Sequence, residues 1–139
     1  MPSCVAVLQL NRRRMLEGLS LSDAALTVAY NIEIQDIPDG NTVDVAVVAP
    51  GQKKGHVRRM VGRRKDGGGT SAKLNFYDLD NNNSLYQSTT NGDLSISTVQ
   101  NPKAVLPSGN DARFTIANTT GSSIRYGGEL MVSWVPDTF

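Results

Sequence analysis

Cysteine and histidine are nearly missing from this chain of 139 residues, which contains only Cys4 and His56. A single cysteine excludes a disulfide within the chain, and these two residues cannot supply the ligands of an ordinary zinc site. We interpret Cys4 as a buried structural thiol, because no histidine or basic residue adjoins it in the sequence. The low cysteine content is typical of a protein that is made and kept in a reducing compartment.

Long apolar runs are missing as well. No stretch approaches the roughly 18 apolar residues that a membrane-spanning helix needs. The first residues place their apolar side chains before Arg12, Arg13 and Arg14, whereas a secretory signal peptide has the opposite order. These two observations predict a soluble intracellular product.

Neither sign of charge dominates, since 14 basic and 13 acidic side chains leave a net charge of +1. The distribution is less even, because residues 1–65 carry 10 basic and 6 acidic side chains and residues 66–139 carry 4 and 7. Seven of the basic residues lie between Lys53 and Lys65. The net charge therefore indicates no partner, while this basic segment is a candidate contact surface.

Short stretches in which apolar and polar residues alternate are frequent in the sequence. This is the pattern of half-buried β-strands. It is clearest in Leu26–Ile34 and in the stretch Ala112–Val135, which we expect to form two or three strands around the only tryptophan, Trp134. Further strands are predicted at the following places: Val43–Ala49, Lys73–Leu79, Ser84–Ser88 and around Leu94–Ile96. Turn residues separate them, and we interpret Gly127-Gly128 as one of these turns.

Eight to ten short strands with turn signals every eight to twelve residues predict an all-β fold. We expect a two-sheet antiparallel sandwich with jelly-roll topology, and an immunoglobulin-like sandwich is the second choice. Residues 1–139 are predicted to form a single domain. Within it, residues 1–20 are expected to be an N-terminal arm or short helix, and residues 21–135 the sandwich core.

No segment carries the pattern of a catalytic or cofactor site. The glycine-rich run Gly62–Thr70 lacks the lysine that a phosphate-binding loop requires after its second glycine. Asp78–Asn83 has neither the glycine nor the final carboxylate of a calcium loop, so we interpret it as an Asx-rich turn. His56 lies among cations and is expected to be a surface or loop histidine. We therefore predict a protein that is not an enzyme and holds no cofactor or metal.

The basic segment Lys53–Lys65 mixes cations with apolar residues, so that as a strand neither of its faces is purely apolar. Such a strand suits a sheet edge, where cations discourage unwanted pairing, and a solvated edge or loop is one interpretation. Contact with a phosphate backbone or docking onto an acidic protein surface are the others. The candidate partner-binding residues are these cations and the three near the N-terminus: Arg12, Arg13, Arg14, Lys53, Lys54, Arg58, Arg59, Arg63, Arg64 and Lys65.

The stretch from Leu26 to Val135 resembles the capsid cement (decoration) proteins of tailed bacteriophages. The resemblance is carried by the short alternating strands, by turns such as Asn118-Thr119-Thr120-Gly121 and by the closing segment Gly127–Trp134. It implies a homodimer or homotrimer on the capsid exterior that bridges subunits of the major capsid protein, after synthesis in the host cytoplasm. In this picture Met1–Leu19 and Lys53–Ser71 are the segments able to reach a neighbour.

Two other functions are compatible with the same residues. One is a nucleic-acid-binding β-barrel that uses Lys53–Lys65, although this segment has no aromatic residues on which bases could stack. The other is a different virion component, such as a coat protein or a tail or head-fibre domain. We expect no membrane partner.

Overall fold

The computed structural model describes residues 26–66, 72–89 and 95–138, and these contain eight β-strands and no helix. The strands are β1 (Leu26–Ile37), β2 (Thr42–Val48), β3 (Lys53–Arg64), β4 (Lys73–Asp78), β5 (Asn83–Ser88), β6 (Ala104–Leu106), β7 (Asp111–Ala117) and β8 (Ile124–Pro136). The predicted arm at residues 1–20, with Arg12, Arg13 and Arg14, lies outside the described residues.

The strands form two four-stranded sheets in which all neighbours are antiparallel. The first sheet has the order β1-β8-β3-β6, and the second has the order β2-β7-β4-β5. Apolar side chains from both sheets join in one buried core. The prediction of an all-β, two-sheet antiparallel sandwich is therefore confirmed.

The centre of the second sheet shows how alternation builds this core. In β7 the side chains of Phe114 and Ile116 are fully buried, while their neighbours Arg113, Thr115 and Ala117 are partly or fully exposed. Phe114 pairs with Phe76 of β4 across the sheet, and Ile116 pairs with Leu74. Aromatic and branched pairs of this kind are the units that stabilise a sheet. The predicted strands at Val43–Ala49 and Lys73–Leu79 are confirmed to within one residue at each end.

The interpretation of Gly127-Gly128 as a turn is wrong, because both glycines lie inside β8. A Cβ on Gly127 would lie 2.7 Å from the carbonyl oxygen of Ile32, and one on Gly128 would lie 2.8 Å from that of Val61. β8 is the strand between β1 and β3, so its backbone meets a neighbour on both sides. Glycine is needed there for close packing of strands and not for a reversal of the chain.

A β-bulge in β3 explains why the alternation in the basic segment is irregular. Val57 pairs with Val132 of β8 and Arg59 pairs with Met131, so Arg58 is an extra residue without a partner in the ladder. Since a bulge shifts the alternation by one residue, both Val57 and Met60 can point into the core, and both are fully buried. Neither face of the segment is purely apolar, because the residues that point into the core change from odd-numbered to even-numbered positions at Arg58.

The interpretation of the basic segment as a loop is wrong, and the interpretation as an edge strand fits only its second half, where no described strand pairs with β3 on the side away from β8. β3 pairs with β8 along its length and with β6 at Gly55–Val57. The three-residue strand β6 lies in the segment 101–110, whose proline and glycine residues are typical of a loop. The described part of the strand predicted around Leu94–Ile96 is not a strand. Lys53–Arg64 is thus a fixed part of the first sheet rather than a loop that reaches a neighbour.

Candidate functional site

The seven cations of the basic segment do not form a single patch. β3 has 12 residues, and at about 3.3 Å per residue it spans roughly 35 Å. Lys53 and Lys54 therefore lie at one end of the sandwich, and Arg63, Arg64 and Lys65 lie at the other. Arg58 and Arg59 lie between them, at the bulge. All seven remain candidate contacts, but the strand separates them into three groups.

Arg58 binds within the protein. Its Nε donates a hydrogen bond to the carbonyl oxygen of Ser97 at 2.9 Å, and one terminal nitrogen donates to Oγ of Ser133 at 3.2 Å. The backbone N–H of Ser97 in turn donates to the carbonyl oxygen of Arg58 at 3.0 Å, and that of Lys103 donates to Val57 at 2.8 Å. These bonds fasten the segment 97–103 beside β3. Arg58 therefore holds this loop against the first sheet.

Arg59 is paired with a carboxylate. Its terminal nitrogen lies 2.6 Å from Oε1 of Glu129 on β8, and the two side chains are only 22% and 19% exposed. A partly buried ion pair is screened less by solvent than an exposed one. The Nε of Arg59 is buried and has no hydrogen-bond partner among the described residues. Most of the charge of Arg59 is thus compensated inside the protein.

The far end of β3 carries charges of both signs. Arg63 and Lys65 are exposed, while the Nε of Arg64 donates to a carboxylate oxygen of Asp66. Arg125 of β8 lies close by and forms an exposed ion pair with Asp36 at 3.2 Å. An incoming phosphate would meet the carboxylates as well as the cations. This end suits a partner with mixed charges better than a polyanion.

The near end of β3 holds Lys53 and Lys54, both half-buried. The backbone carbonyl of Lys53 accepts a hydrogen bond from the N–H of Gly109 at 3.3 Å, so the loop after β6 lies against this end. Because consecutive side chains of a strand point to opposite faces, each face of the sheet receives a single half-buried lysine at this end. Both lysines are too far from Arg63 and Lys65 to act with them on one ligand group.

His56 was expected to be a surface or loop histidine, and this is wrong, because it is 6% exposed within β3. Its Nδ1 lies 2.7 Å from the carbonyl oxygen of Val99. Since a carbonyl can only accept, Nδ1 is the donor of this bond. Val99 is itself fully buried. His56 thus holds the segment 97–103 at a second point, beside Arg58.

Asp78 is a fully buried carboxylate at the end of β4. Its Oδ1 accepts from the backbone N–H groups of Asp80 at 3.1 Å and Asn81 at 3.3 Å, and its Oδ2 accepts from Nδ2 of Asn81 at 2.9 Å. Nδ2 of Asn110 lies 3.2 Å from both oxygens. These bonds confirm the prediction of an Asx-rich turn. In the described part of the chain, no group of three or more His, Cys, Asp or Glu could hold a metal ion.

Two tyrosines, the partly buried Tyr30 and the fully buried Tyr126, have raised pKa values. Burial raises the pKa of Tyr30 above its usual value of 10.0, while the hydrogen bond that Nε1 of Trp134 donates to its oxygen at 2.9 Å acts in the opposite direction. Burial likewise raises the pKa of Tyr126, and the positive charge of Arg64 partly offsets this. The hydroxyl of Tyr126 has no hydrogen-bond partner among the described residues. Both groups are neutral at ordinary pH and stabilise the core as apolar rings.

The sheet edges are the surfaces that the sequence analysis did not single out. Among the described strands, β1 and β6 are the outermost of the first sheet, and β2 and β5 are those of the second. Leu26 of β1 is 54% exposed and Val48 of β2 is 60% exposed. An exposed strand edge offers unpaired backbone groups to another chain. The sequence signal that could have pointed to β1 is the absence of any charged residue between Leu26 and Ile32.

Comparison of the chain with protein-family models finds no match, and a search of curated proteins finds no significant match either. Among the residues that the structure describes, no helix is long and apolar enough to cross a membrane. The features of the molecule that bear on its function are therefore the strand arrangement and the surfaces described above.

Proposed function

We propose that the chain is a non-enzymatic virion structural protein, namely a cement (decoration) subunit on the exterior of a tailed-bacteriophage capsid. In this role it binds the major capsid protein, bridges neighbouring subunits of the shell and stabilises it. The observation that carries the proposal is the order of the strands in the two sheets.

The strand pairs follow one rule. β1 pairs with β8, β2 with β7, β3 with β6, and β4 with β5. This nesting is what a long antiparallel hairpin produces when it is rolled into two sheets, and it supports the jelly-roll topology expected from the sequence. Jelly rolls are frequent among viral capsid domains, and also among lectins and cupins. Because a fold by itself does not determine a function, the surfaces must decide between these uses.

The surfaces favour association with proteins. Three edges of the sandwich expose apolar side chains, namely Leu26 on β1, Val48 on β2 and Val105 on β6. The exposed or half-buried cations at the ends of β3 are available for an acidic capsid surface: Lys53, Lys54, Arg63 and Lys65. Many weak contacts that are repeated by the symmetry of a shell can give tight overall binding. The cations Arg12, Arg13 and Arg14 remain further candidates, outside the described residues.

The nucleic-acid alternative receives less support from this arrangement. A phosphate-binding groove needs several cations along one path. Here Arg58 donates to Ser97 and Ser133, Arg59 is paired with Glu129, and Arg64 donates to Asp66. The exposed cations stand at opposite ends of a strand of about 35 Å.

A second candidate follows from the same strand order. A chain with jelly-roll connectivity could build the shell itself as a coat protein rather than attach to a finished one. The two roles differ in what the purified protein does alone. A coat protein assembles into closed shells that electron microscopy detects, whereas a cement subunit stays a small oligomer until a shell is present.

The test uses shells assembled from the major capsid protein of the same virus. The purified chain is sedimented with these shells, and in parallel is titrated into a labelled single-stranded oligonucleotide at about physiological salt. We expect saturable binding to shells and no binding to the oligonucleotide. Replacing Lys53, Lys54, Arg63 and Lys65 by alanine should weaken shell binding. The matched control Lys73→Ala, which removes an exposed cation of the second sheet, should not.

Two results would overturn the cement proposal. One is a failure to sediment with shells of any maturation state. The other is binding to the oligonucleotide that falls steeply as salt rises and is lost in the variant without the four cations, since phosphate contacts release counterions. The second result would indicate that the protein binds nucleic acid through the cations of β3.

A further inference from the structure

The four edge strands of the sandwich differ in how they are protected from pairing with another chain. Natural sheets protect an edge by making it short, by a bulge or by charged side chains. β6 has three residues, and β5 has six with a register shift against β4. β2 has seven residues and carries Asp44, which is paired with Arg113. Each of these three edges has at least one protecting feature.

Among the described edges, β1 is the one that has such features only in its second half. It has 12 residues, and its first seven, Leu26–Ile32, contain no charge, no proline and no glycine. This part pairs with β8 in regular register, and the bulge and the acidic residues Glu33 and Asp36 come only after Ile32. Leu26 is 54% exposed, and the outward-facing Thr27, Ala29 and Asn31 are also exposed. The segment has the features of an edge that is covered by another strand.

We propose that Leu26–Ile32 pairs with the same segment of a second copy of this chain, antiparallel and across a twofold axis at Ala29. The two first sheets then join into one sheet of eight strands. This inference deepens the proposed function, from which it takes only the expectation that the chain forms a homo-oligomer. A twofold interface requires that the segment be complementary to itself.

The segment meets this requirement in one register. With Ala29 opposite Ala29, Leu26 lies opposite Ile32, Thr27 opposite Asn31, and Val28 opposite Tyr30. The first pair is apolar, the second joins two polar side chains, and the third joins a β-branched and an aromatic residue. Such pairs stabilise antiparallel sheets. No like charges face each other, because the segment contains none.

Other registers are less complementary. A shift of one residue would place core-facing side chains opposite the outward-facing ones of the partner, because side chains alternate with a period of two. A shift of two residues toward the C-terminus would bring Glu33 opposite Thr27 and extend the contact into the bulge. Only the register centred on Ala29 uses all seven uncharged residues.

The first experiment measures mass in solution by light scattering over a range of concentrations. The wild-type chain is expected to be a dimer at high concentration. Ala29→Lys should shift it to a monomer, because two lysines would then face each other on the axis while a single lysine is tolerated on the exposed position. Gln35→Lys places the same side chain on an exposed position of β1 beyond the bulge, and we expect this control to remain a dimer.

A second experiment fixes the register and does not depend on the stability of the lysine variant. In a Cys4→Ser background, Ala29→Cys should form an intermolecular disulfide with itself, since facing Cβ atoms lie about 4.5–5.5 Å apart and a small approach of the two strands brings them to the roughly 3.5–4.5 Å that a disulfide needs. Thr27→Cys should not crosslink to itself, but should do so when mixed with Asn31→Cys. The Thr27→Cys and Asn31→Cys variants lie on the same strand and the same face. The crosslinking pattern therefore depends only on the register in which the two strands pair.

Several outcomes would overturn the inference. They are a wild-type monomer at all concentrations, a trimer, a dimer that Ala29→Lys leaves unchanged, or crosslinking of Thr27→Cys to itself in preference to Asn31→Cys. None of these results decides shell binding, which sedimentation with shells measures separately. Conversely, a dimer with the predicted crosslinks that ignores shells would support the interface and overturn the cement proposal.

Discussion

At the scale of single residues, the first sheet is organised by aromatic rings that lie over glycines. The ring of Trp134 lies over Gly55, and that of Tyr126 lies over Gly62. A Cβ on Gly55 would be 2.8 Å from Cζ3 of Trp134, and one on Gly62 would be 2.6 Å from Cε1 of Tyr126. Both rings are buried. The glycines of β3 are therefore sites where large rings of β8 fill the core.

Gly62→Ala is expected to lower the free energy of unfolding by about 1–3 kcal/mol, since it overpacks a site that has no room for a methyl group. The methyl group would collide with the buried ring of Tyr126. Chemical denaturation measures the change. In a Tyr126→Leu background the same substitution should cost less, because the ring is gone. An equal cost in both backgrounds would contradict the proposed contact.

The raised pKa values of Tyr30 and Tyr126 predict a loss of stability at alkaline pH. The unfolded chain releases these protons near pH 10 and the folded chain releases them at higher pH, so the stabilisation is complete below about pH 10 and is lost as pH rises through the folded pKa. The free energy of unfolding should therefore fall as pH rises above about 10.

The control for this prediction is the double variant Tyr30→Phe, Tyr126→Phe. It should lose less stability over the same pH interval than the wild-type chain, because neither ring can then ionise. Urea denaturation at several pH values compares the two proteins. Equal slopes of unfolding free energy against pH would show that the two hydroxyl groups are not responsible.

At the scale of elements, the connection between β4 and β5 is organised by Asp78. Its buried carboxylate accepts hydrogen bonds only, from backbone N–H groups in the turn and from two asparagine amides. The turn is thereby tied to Asn110, which lies just before β7. One side chain thus joins three strands of the second sheet at one end.

Asp78→Asn is expected to lower the free energy of unfolding by about 1–3 kcal/mol, because the new amide group would face donors and leave buried groups unsatisfied. Asp80→Asn is the control. Asp80 is exposed and its Oδ2 accepts one bond, from the N–H of Asp111 at 2.8 Å, which an amide oxygen can also accept. The control should change stability by less than about 0.5 kcal/mol. A similar loss in both variants would contradict the role of Asp78.

The sequence predicted the strands in which apolar and polar residues alternate regularly. It did not predict the conformations that depend on contacts between residues far apart in the chain. β1, β2, β4 and β7 follow period two and were found. Gly127 and Gly128 carry a local turn signal, but close packing of three strands explains them instead. The bulge at Arg58 interrupts the alternation of apolar and polar residues in β3, so the sequence pattern does not identify this segment as a strand. The bonds of Arg58 and His56 to the segment 97–103 connect residues about 40 positions apart, which no local pattern contains.

At the scale of the whole molecule, the described part of the sandwich presents one long uncharged edge segment and separated clusters of charge. The cations of the basic segment do not form a single surface. They are spread along the length of β3, and some of them bind partners within the protein, such as Glu129. The edge formed by Leu26–Ile32 is continuous and uncharged. These features suit a protein that functions by associating with copies of itself and with a repeating lattice.

The most direct test of this account is an electron cryomicroscopy comparison of shells of the same virus with and without the protein. The account predicts additional density on the exterior of the shell, at points where neighbouring capsid subunits meet, with a size that fits paired sandwiches. Identical maps, or density inside the shell beside the packaged nucleic acid, would contradict it.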